Sequence, residues 1–127
     1  MIQTADTLKY LTMGGRIGKA TQLVGSMLSF KPLISMKDGE IVALGVAHGL
    51  SKAYEKMVEN IETNLSATKK IKVAYMHAGA LEQIEKLKSM VESRIEVVES
   101  FTSELSSALK VHTGPGTTGL CYYPVNA

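Results

Sequence analysis

The alternation of apolar and polar positions in the middle of the chain predicts a β-hairpin. Residues 33–37 and 40–47 are both β-prone, and they are separated by Asp38-Gly39. Asp-Gly suits the positive φ values of a type I′ turn, so the two segments are expected to pair as antiparallel strands. Pro32 is expected to interrupt the element that precedes them, because proline lacks the N–H that helices and ladders use.

Elsewhere, apolar residues recur at every third or fourth position, which is typical of amphipathic helices. We expect helices near residues 4–12, 17–29, 50–65 and 80–91. Thr4 and Asp6 are plausible caps of the first helix, which should end at Gly14-Gly15. Further strands are expected at residues 71–76, 94–101 and 117–123, and a short helix at 105–109.

Strands that alternate with helices from about residue 41 onward predict an α/β fold, with helices packed on a sheet. The Asp-Gly hairpin makes at least one strand pair antiparallel, so the sheet should be mixed or mainly antiparallel and covered by helices. The chain has 127 residues, which fits a single domain spanning residues 1–127.

The composition limits the classes of function that this chain can have. The net charge of +2 comes from 14 basic and 12 acidic residues, a balance that does not favour nucleic-acid binding. A single cysteine excludes a disulfide within the chain and suits a reducing compartment. The chain opens with no signal-like segment and has no apolar run of membrane-spanning length. We therefore expect a cytoplasmic protein with no transmembrane segment.

Residues 14–19, Gly-Gly-Arg-Ile-Gly-Lys, invite comparison with a phosphate-binding loop. The comparison fails, because only three residues separate Gly14 from Gly18 and Ala20 stands where Ser or Thr would hold magnesium. Glycines, a helix N-terminus and Arg16 could nevertheless bind an anion. An ordinary turn between two helices with a solvated arginine remains the alternative.

Residues 114–119 match the spacing G-x-G-x-x-G, yet a strand is expected to follow them instead of a helix. A dinucleotide site is therefore not expected. His112 and Thr113 lie beside a tight Gly-Pro-Gly turn, and both can donate hydrogen bonds to an anion. A structural turn with an incidental histidine is the alternative.

The remaining reactive side chains do not assemble into a catalytic pattern. His48, His77 and His112 share no metal-ligand spacing. Cys121 lies in a predicted strand, where we expect a buried structural thiol. No serine lies in a Gly-x-Ser-x-Gly elbow. We therefore expect no catalytic residue, no metal site and no cofactor.

Four segments occur in the same order as in the C-terminal domain of DegV-family proteins, and together they strongly resemble it. They are residues 7–17, which include Gly14-Gly15-Arg16, residues 25–34, residues 37–40, and residues 112–116, His-Thr-Gly-Pro-Gly. The likeness spans about residues 7 to 123.

The resemblance implies a non-catalytic, two-domain fatty-acid carrier that holds a long acyl chain between its domains. In bacteria with the partner kinase, such a carrier presents the carboxylate for phosphorylation. Carried over by motif, Arg16 and His112 bind the carboxylate. Thr113 could add a hydroxyl, and the backbone at Gly14, Gly15, Gly114 and Gly116 would lie beside the ligand.

Two departures from the family pattern affect the expected function. The N-terminal domain is absent from this sequence, so we expect half of a carrier, whether truncated, a fragment or a stand-alone domain. Where the family has Arg-Thr-Arg-Lys-Lys-Ala, residues 48–53 of this chain are His-Gly-Leu-Ser-Lys-Ala. His48 therefore replaces the first arginine at a possible kinase-contact position. The alternative function is an interaction or oligomerisation module, such as a homo-oligomer, that has lost lipid binding.

Overall fold

The computed structural model describes residues 1–4, 18, 30–65, 70–108 and 114–125. Its strands and helices in chain order are β1 (Ile2–Thr4), β2 (Phe30–Lys37), β3 (Glu40–His48), α1 (Leu50–Asn64), β4 (Lys70–His77), α2 (Leu81–Arg94), β5 (Glu96–Glu104) and β6 (Thr118–Val125).

The strands form one mixed sheet in the order β3-β2-β1-β6-β4-β5. Strands β4 and β5 are parallel and are connected through α2, whereas the other neighbouring pairs are antiparallel. The expected α/β fold with a mixed, mainly antiparallel sheet and helices packed on it is therefore confirmed.

The predicted hairpin is confirmed at the predicted turn. Lys37 pairs with Glu40, and only Asp38 and Gly39 lie between the paired strands. Their φ angles are 52° and 81°, which are the two positive values that a type I′ turn requires.

Two of the four expected helices lie in the part of the chain that the structure describes, and both are confirmed. Helix α1 matches the prediction for residues 50–65, and α2 continues three residues beyond the predicted end at 91. The expected helix at 17–29 and most of the one at 4–12 lie outside the described residues. Thr4, however, is the last residue of β1 and not a helix cap, so that expectation was wrong.

The expected interruption of the preceding helix lies outside the described residues, but β2 begins three residues earlier than predicted, so Pro32 lies within it, opposite Val46 of β3. The physical reason is the shortness of β1, which pairs with β2 only from Leu33 onward. Among the described residues, Pro32 therefore has a neighbouring strand on one side alone, and a missing N–H is tolerated there as on an edge strand.

The core lies between the sheet and the two helices. Helix α1 packs on β1, β2 and β3, α2 packs on β4, β5 and β6, and the helices also contact each other. Ile71, Val73 and Tyr75 of β4 join this core, whereas the intervening Lys72 and Ala74 are only partly buried. One face of β4 thus packs against the helices, and the other lines an open sheet face.

Candidate ligand-binding site

The Gly-Pro-Gly turn is held at the carboxyl end of β4. The N–H of Gly116 donates to the carbonyl of Ala78, and the N–H of Ala78 donates to the carbonyl of Thr117, both at 2.9 Å. The Thr117 hydroxyl donates to the carbonyl of Gly114, also at 2.9 Å. Gly114 and Gly116 have φ angles of 83° and 85°, which explains why glycine occupies both positions. The turn is therefore rigidly oriented toward the loop between β4 and α2.

Backbone N–H groups of this loop are already hydrogen-bonded within the domain. The N–H of Gly79 donates to the Glu104 carboxylate at 3.3 Å, and the N–H of Ala80 donates to Nδ1 of His77 at 3.0 Å. His77 thus serves as a buried acceptor just before α2, a role that its sequence position four residues ahead of the first helical residue could have suggested. Since these donors are occupied, an anion at this end needs donors from other residues.

Hydroxyl groups connect α1 to the sheet beneath the turn. The Tyr54 hydroxyl of α1 and the Thr118 hydroxyl of β6 are 2.7 Å apart, and both side chains are buried. Thr4 of β1 is the cross-strand partner of Thr118, and its hydroxyl is buried without a hydrogen-bond partner. The end of the sheet below the turn is consequently polar on the side that faces the helices.

A groove of about 420 Å³ crosses the opposite, open face of β4, β5 and β6. Ala74 and Cys121 form its floor, and they are directly paired across β4 and β6. Phe101 and Tyr123 also line the groove and are 62% and 56% exposed, unusually high for large apolar or aromatic side chains. The groove therefore offers a largely apolar surface to a ligand or partner.

An ion pair lies in the same groove, on the side away from the Gly-Pro-Gly turn. Lys72 Nζ is 3.0 Å from the Glu99 carboxylate. The hydrogen bond from Lys72 to Glu99, and then the charge of that carboxylate, raise the pKa of Lys72 above its usual value; the neighbouring Tyr123 contributes in the same direction. A second ion pair, Lys70 with Glu96 at 3.5 Å, lies one step farther along the same strands, outside the groove.

Several predicted site residues cannot be placed. Residues Arg16, His112, Thr113, Gly14 and Gly15 lie outside the described part of the chain. Their convergence around a carboxylate therefore stays a prediction.

The following described residues belong to the segments that are predicted to contact the ligand or the kinase. Gly114 and Gly116 lie in the turn described above. Gly18 lies against Ile41 of β3 with a φ of 56°, so close that a Cβ atom there would be 2.7 Å from the Ile41 carbonyl oxygen. His48 is exposed at the end of β3, two residues before α1 begins.

The groove itself was not anticipated from the sequence. Cys121 was expected to be a buried thiol, yet it is only partly buried and lies on the groove floor. Among the residues that the structure describes, no helix is long and apolar enough to cross a membrane.

The fold and site define a class: a helix-on-sheet domain with an open, grooved sheet face and a glycine-rich turn at one end of it. The chain belongs to the DegV family, since the family model described as "Uncharacterised protein, DegV family" matches residues 1–125.

Known proteins similar to this chain are longer. A DegV domain-containing protein of Clostridium acetobutylicum is 42% identical over 120 residues, which cover 93% of this chain and 42% of that protein. A DegV family protein from Thermus thermophilus, described for its fatty acid binding, matches with a TM-score of 0.91 and 31% identity, over 98% of this chain and 45% of that one. A stearic acid-binding protein from Eubacterium ventriosum matches with a TM-score of 0.77 and 26% identity, over 97% and 43%. The chain thus spans less than half the length of these proteins.

Proposed function

We propose that residues 1–127 form a single domain that contributes one half of a fatty-acid-binding site. In this proposal Arg16, His112 and Thr113 hold the carboxylate, and the acyl chain lies against the domain. A second, DegV-type N-terminal half supplies the remaining contacts. The domain performs no covalent chemistry itself and offers the bound carboxylate to a kinase.

The observation that carries this proposal is the largely apolar groove on the open sheet face. Its floor includes Cys121 of β6, and β6 begins at Thr118, two residues after the Gly-Pro-Gly turn. A fatty acid has one anionic head and a long apolar tail, so its site needs a few donors at one end of an apolar slot. The names of the Thermus and Eubacterium relatives support the same ligand class.

The proposed carboxylate contacts follow from the donor chemistry of the side chains. Arg16 can give charge-assisted hydrogen bonds from a planar fork. His112 can donate from one ring nitrogen, and the glycines at 14, 15, 114 and 116 let the backbone approach the ligand closely. Loss of one charged hydrogen bond should cost about 1.5–3 kcal/mol, roughly a tenfold or greater loss of affinity.

The test is oleate binding by the chain together with a DegV-type N-terminal half. Arg16→Ala and His112→Ala should each weaken binding by roughly tenfold or more while the melting temperature is unchanged. Lys86→Ala, on the exposed side of α2, and His48→Ala are the matched controls and should leave oleate affinity unchanged. His77→Ala is unsuitable as a control because His77 binds the first N–H before α2. Unchanged oleate affinity in both site variants would refute the assignment.

An interaction module is the second candidate, and the exposure of Phe101 and Tyr123 favours it, because exposed aromatic patches often mark protein contacts. Sedimentation of the chain alone distinguishes the two functions. Self-association that persists in the presence of oleate, with no oleate bound, supports the interaction module. Oleate binding that dissolves any association supports the carrier. A strict monomer that binds no lipid, even after a DegV-type N-terminal half is added, contradicts both.

A further inference from the structure

We propose that His77 is a positioning residue of the carboxylate site: its neutral ring closes the loop that anchors the Gly-Pro-Gly turn, and protonation of the ring opens that loop. The inference rests on the proposed function, because His112 and Thr113 directly precede this turn in the sequence. It gives fatty-acid affinity a dependence on pH that originates in a residue outside the proposed ligand contacts.

The loop between β4 and α2 connects several parts of the domain. The carbonyl of His77 accepts from the N–H of Leu105 at 2.8 Å, which fixes the chain just after β5. Ala78 donates to the carbonyl of Thr117 and accepts from the N–H of Gly116, both at 2.9 Å. A change of conformation in this short loop would therefore displace the Gly-Pro-Gly turn as well.

One side-chain hydrogen bond closes this loop. The N–H of Ala80 donates to Nδ1 of His77 at 3.0 Å, and His77 is only 9% exposed. Between the two partners, Gly79 has a φ of 61°, a left-handed conformation that favours glycine. Because a backbone N–H can only donate, Nδ1 must carry a lone pair, and the ring proton of the neutral imidazole must be on Nε2.

Protonation of the ring removes this acceptor. The second ring proton would be on Nδ1, so two N–H groups would face each other and the Ala80 N–H would lose its partner. A buried donor without a partner is costly, which favours an open loop whose N–H reaches water. Histidine side chains change their charge between about pH 5 and pH 8, and this range is therefore the one to test.

Other charged or titratable groups lie on the elements around His77. They are Glu104 of β5, Tyr54 of α1, and Glu82 and Glu85 of α2. Glu104 is paired with His77 across the sheet, and its carboxylate accepts from the N–H of Gly79 at 3.3 Å. On its other side, His77 is paired with the uncharged Thr118. A substitution at His77 alone leaves all these groups in place, so it separates the protonation of His77 from theirs.

The test compares oleate binding by the unmodified chain and by His77→Asn, each with a DegV-type N-terminal half. The Oδ1 atom of asparagine can accept from the Ala80 N–H in place of Nδ1, but the amide does not titrate. The affinity of the unmodified chain should fall about fivefold relative to that of His77→Asn between about pH 7.5 and pH 5.5. Comparison at equal pH cancels the titration of oleate and of His112.

Two further variants complete the comparison. His77→Ala lacks an acceptor and should bind oleate more weakly than His77→Asn at both pH values. His48→Asn is the matched control, since it makes the same change at an exposed histidine, and it should keep the pH dependence of the unmodified chain.

Hydrogen exchange of the chain alone tests the coupling without a ligand. On acidification, the protection of the Ala80 and Gly116 amides should fall together in the unmodified chain and stay constant in His77→Asn. Equal pH profiles of oleate binding in these two proteins, or lost protection at Ala80 without a loss at Gly116, would show that His77 does not position the turn. If neither protein binds oleate, the proposed function fails, and hydrogen exchange still decides whether His77 holds the turn.

Discussion

The same substitution should have opposite effects at two paired threonines. Thr4 and Thr118 are directly opposite each other on β1 and β6, and they are 1% and 0% exposed. The Thr118 hydroxyl is 2.7 Å from the Tyr54 hydroxyl, whereas the Thr4 hydroxyl has no hydrogen-bond partner. Replacing each by valine exchanges a hydroxyl for a methyl group of similar size, so the difference between the sites isolates the hydrogen bond.

The expected magnitudes follow from these environments. An unsatisfied buried hydroxyl costs about 1–3 kcal/mol, so Thr4→Val should raise the free energy of unfolding by about that amount. At Thr118 the change removes a hydrogen bond worth about 0.5–1.5 kcal/mol and also takes one partner from the buried Tyr54 hydroxyl. Thr118→Val should therefore lower the free energy of unfolding by about 1 kcal/mol.

Urea denaturation of the two variants and the unmodified chain measures the difference. The midpoints should move in opposite directions while the slope m stays constant, because neither change alters the surface exposed on unfolding. Equal destabilisation by both substitutions would refute the reasoning. It would show that the Thr4 hydroxyl is satisfied, for example by a buried water molecule.

Two further predictions concern packing and pH. Gly119→Ala should lower the free energy of unfolding, measured by thermal unfolding, by about 1–3 kcal/mol, because the added Cβ would lie 2.6 Å from Cβ of Gln3. The control Ser93→Ala, on the exposed side of α2, should change it by less than about 0.5 kcal/mol. A tolerated Gly119→Ala would contradict the close approach of β1. Burial, and then the Glu92 carboxylate 3.4 Å away, raise the pKa of Tyr75. The unfolded chain therefore releases the phenol proton first above about pH 10, and stability falls as pH rises. The free energy of unfolding of Tyr75→Phe should therefore fall less steeply than that of the unmodified chain above about pH 10. Parallel pH curves for the two proteins would show that Tyr75 does not contribute.

The elements that could be predicted from the sequence are those determined by local chemistry. Asp38-Gly39 specifies its own turn, and α1 and α2 carry long apolar stripes that need no knowledge of their partners. The Gly-Pro-Gly turn at 114–116 was likewise recognisable, because its residues suit one backbone geometry.

The elements that were missed depend on distant partners. Strand β1 has three residues, too few to show any periodicity, and Thr4 resembles a helix cap as closely as a strand end. Pro32 could be placed in β2 only once the end of β1 opposite Leu33 was known. The groove arises because β4, β5 and β6 bring Phe101, Cys121 and Lys72 together, and no local pattern encodes that pairing.

The short strand β1 also shapes how the domain can fold. The β2–β3 hairpin and the β4–α2–β5 unit each pair residues close in sequence, so each can form early and independently. They become one sheet only when Ile2–Thr4 inserts between β2 and β6, which requires pairing Ile2 with Leu120 near the other end of the chain. Such distant pairings are slow to form, because the loop-closure entropy must be overcome first. The two halves of the sheet are therefore expected to coexist as separate folding units until the final strand is available, with both inner edges, β2 and β6, transiently unpaired.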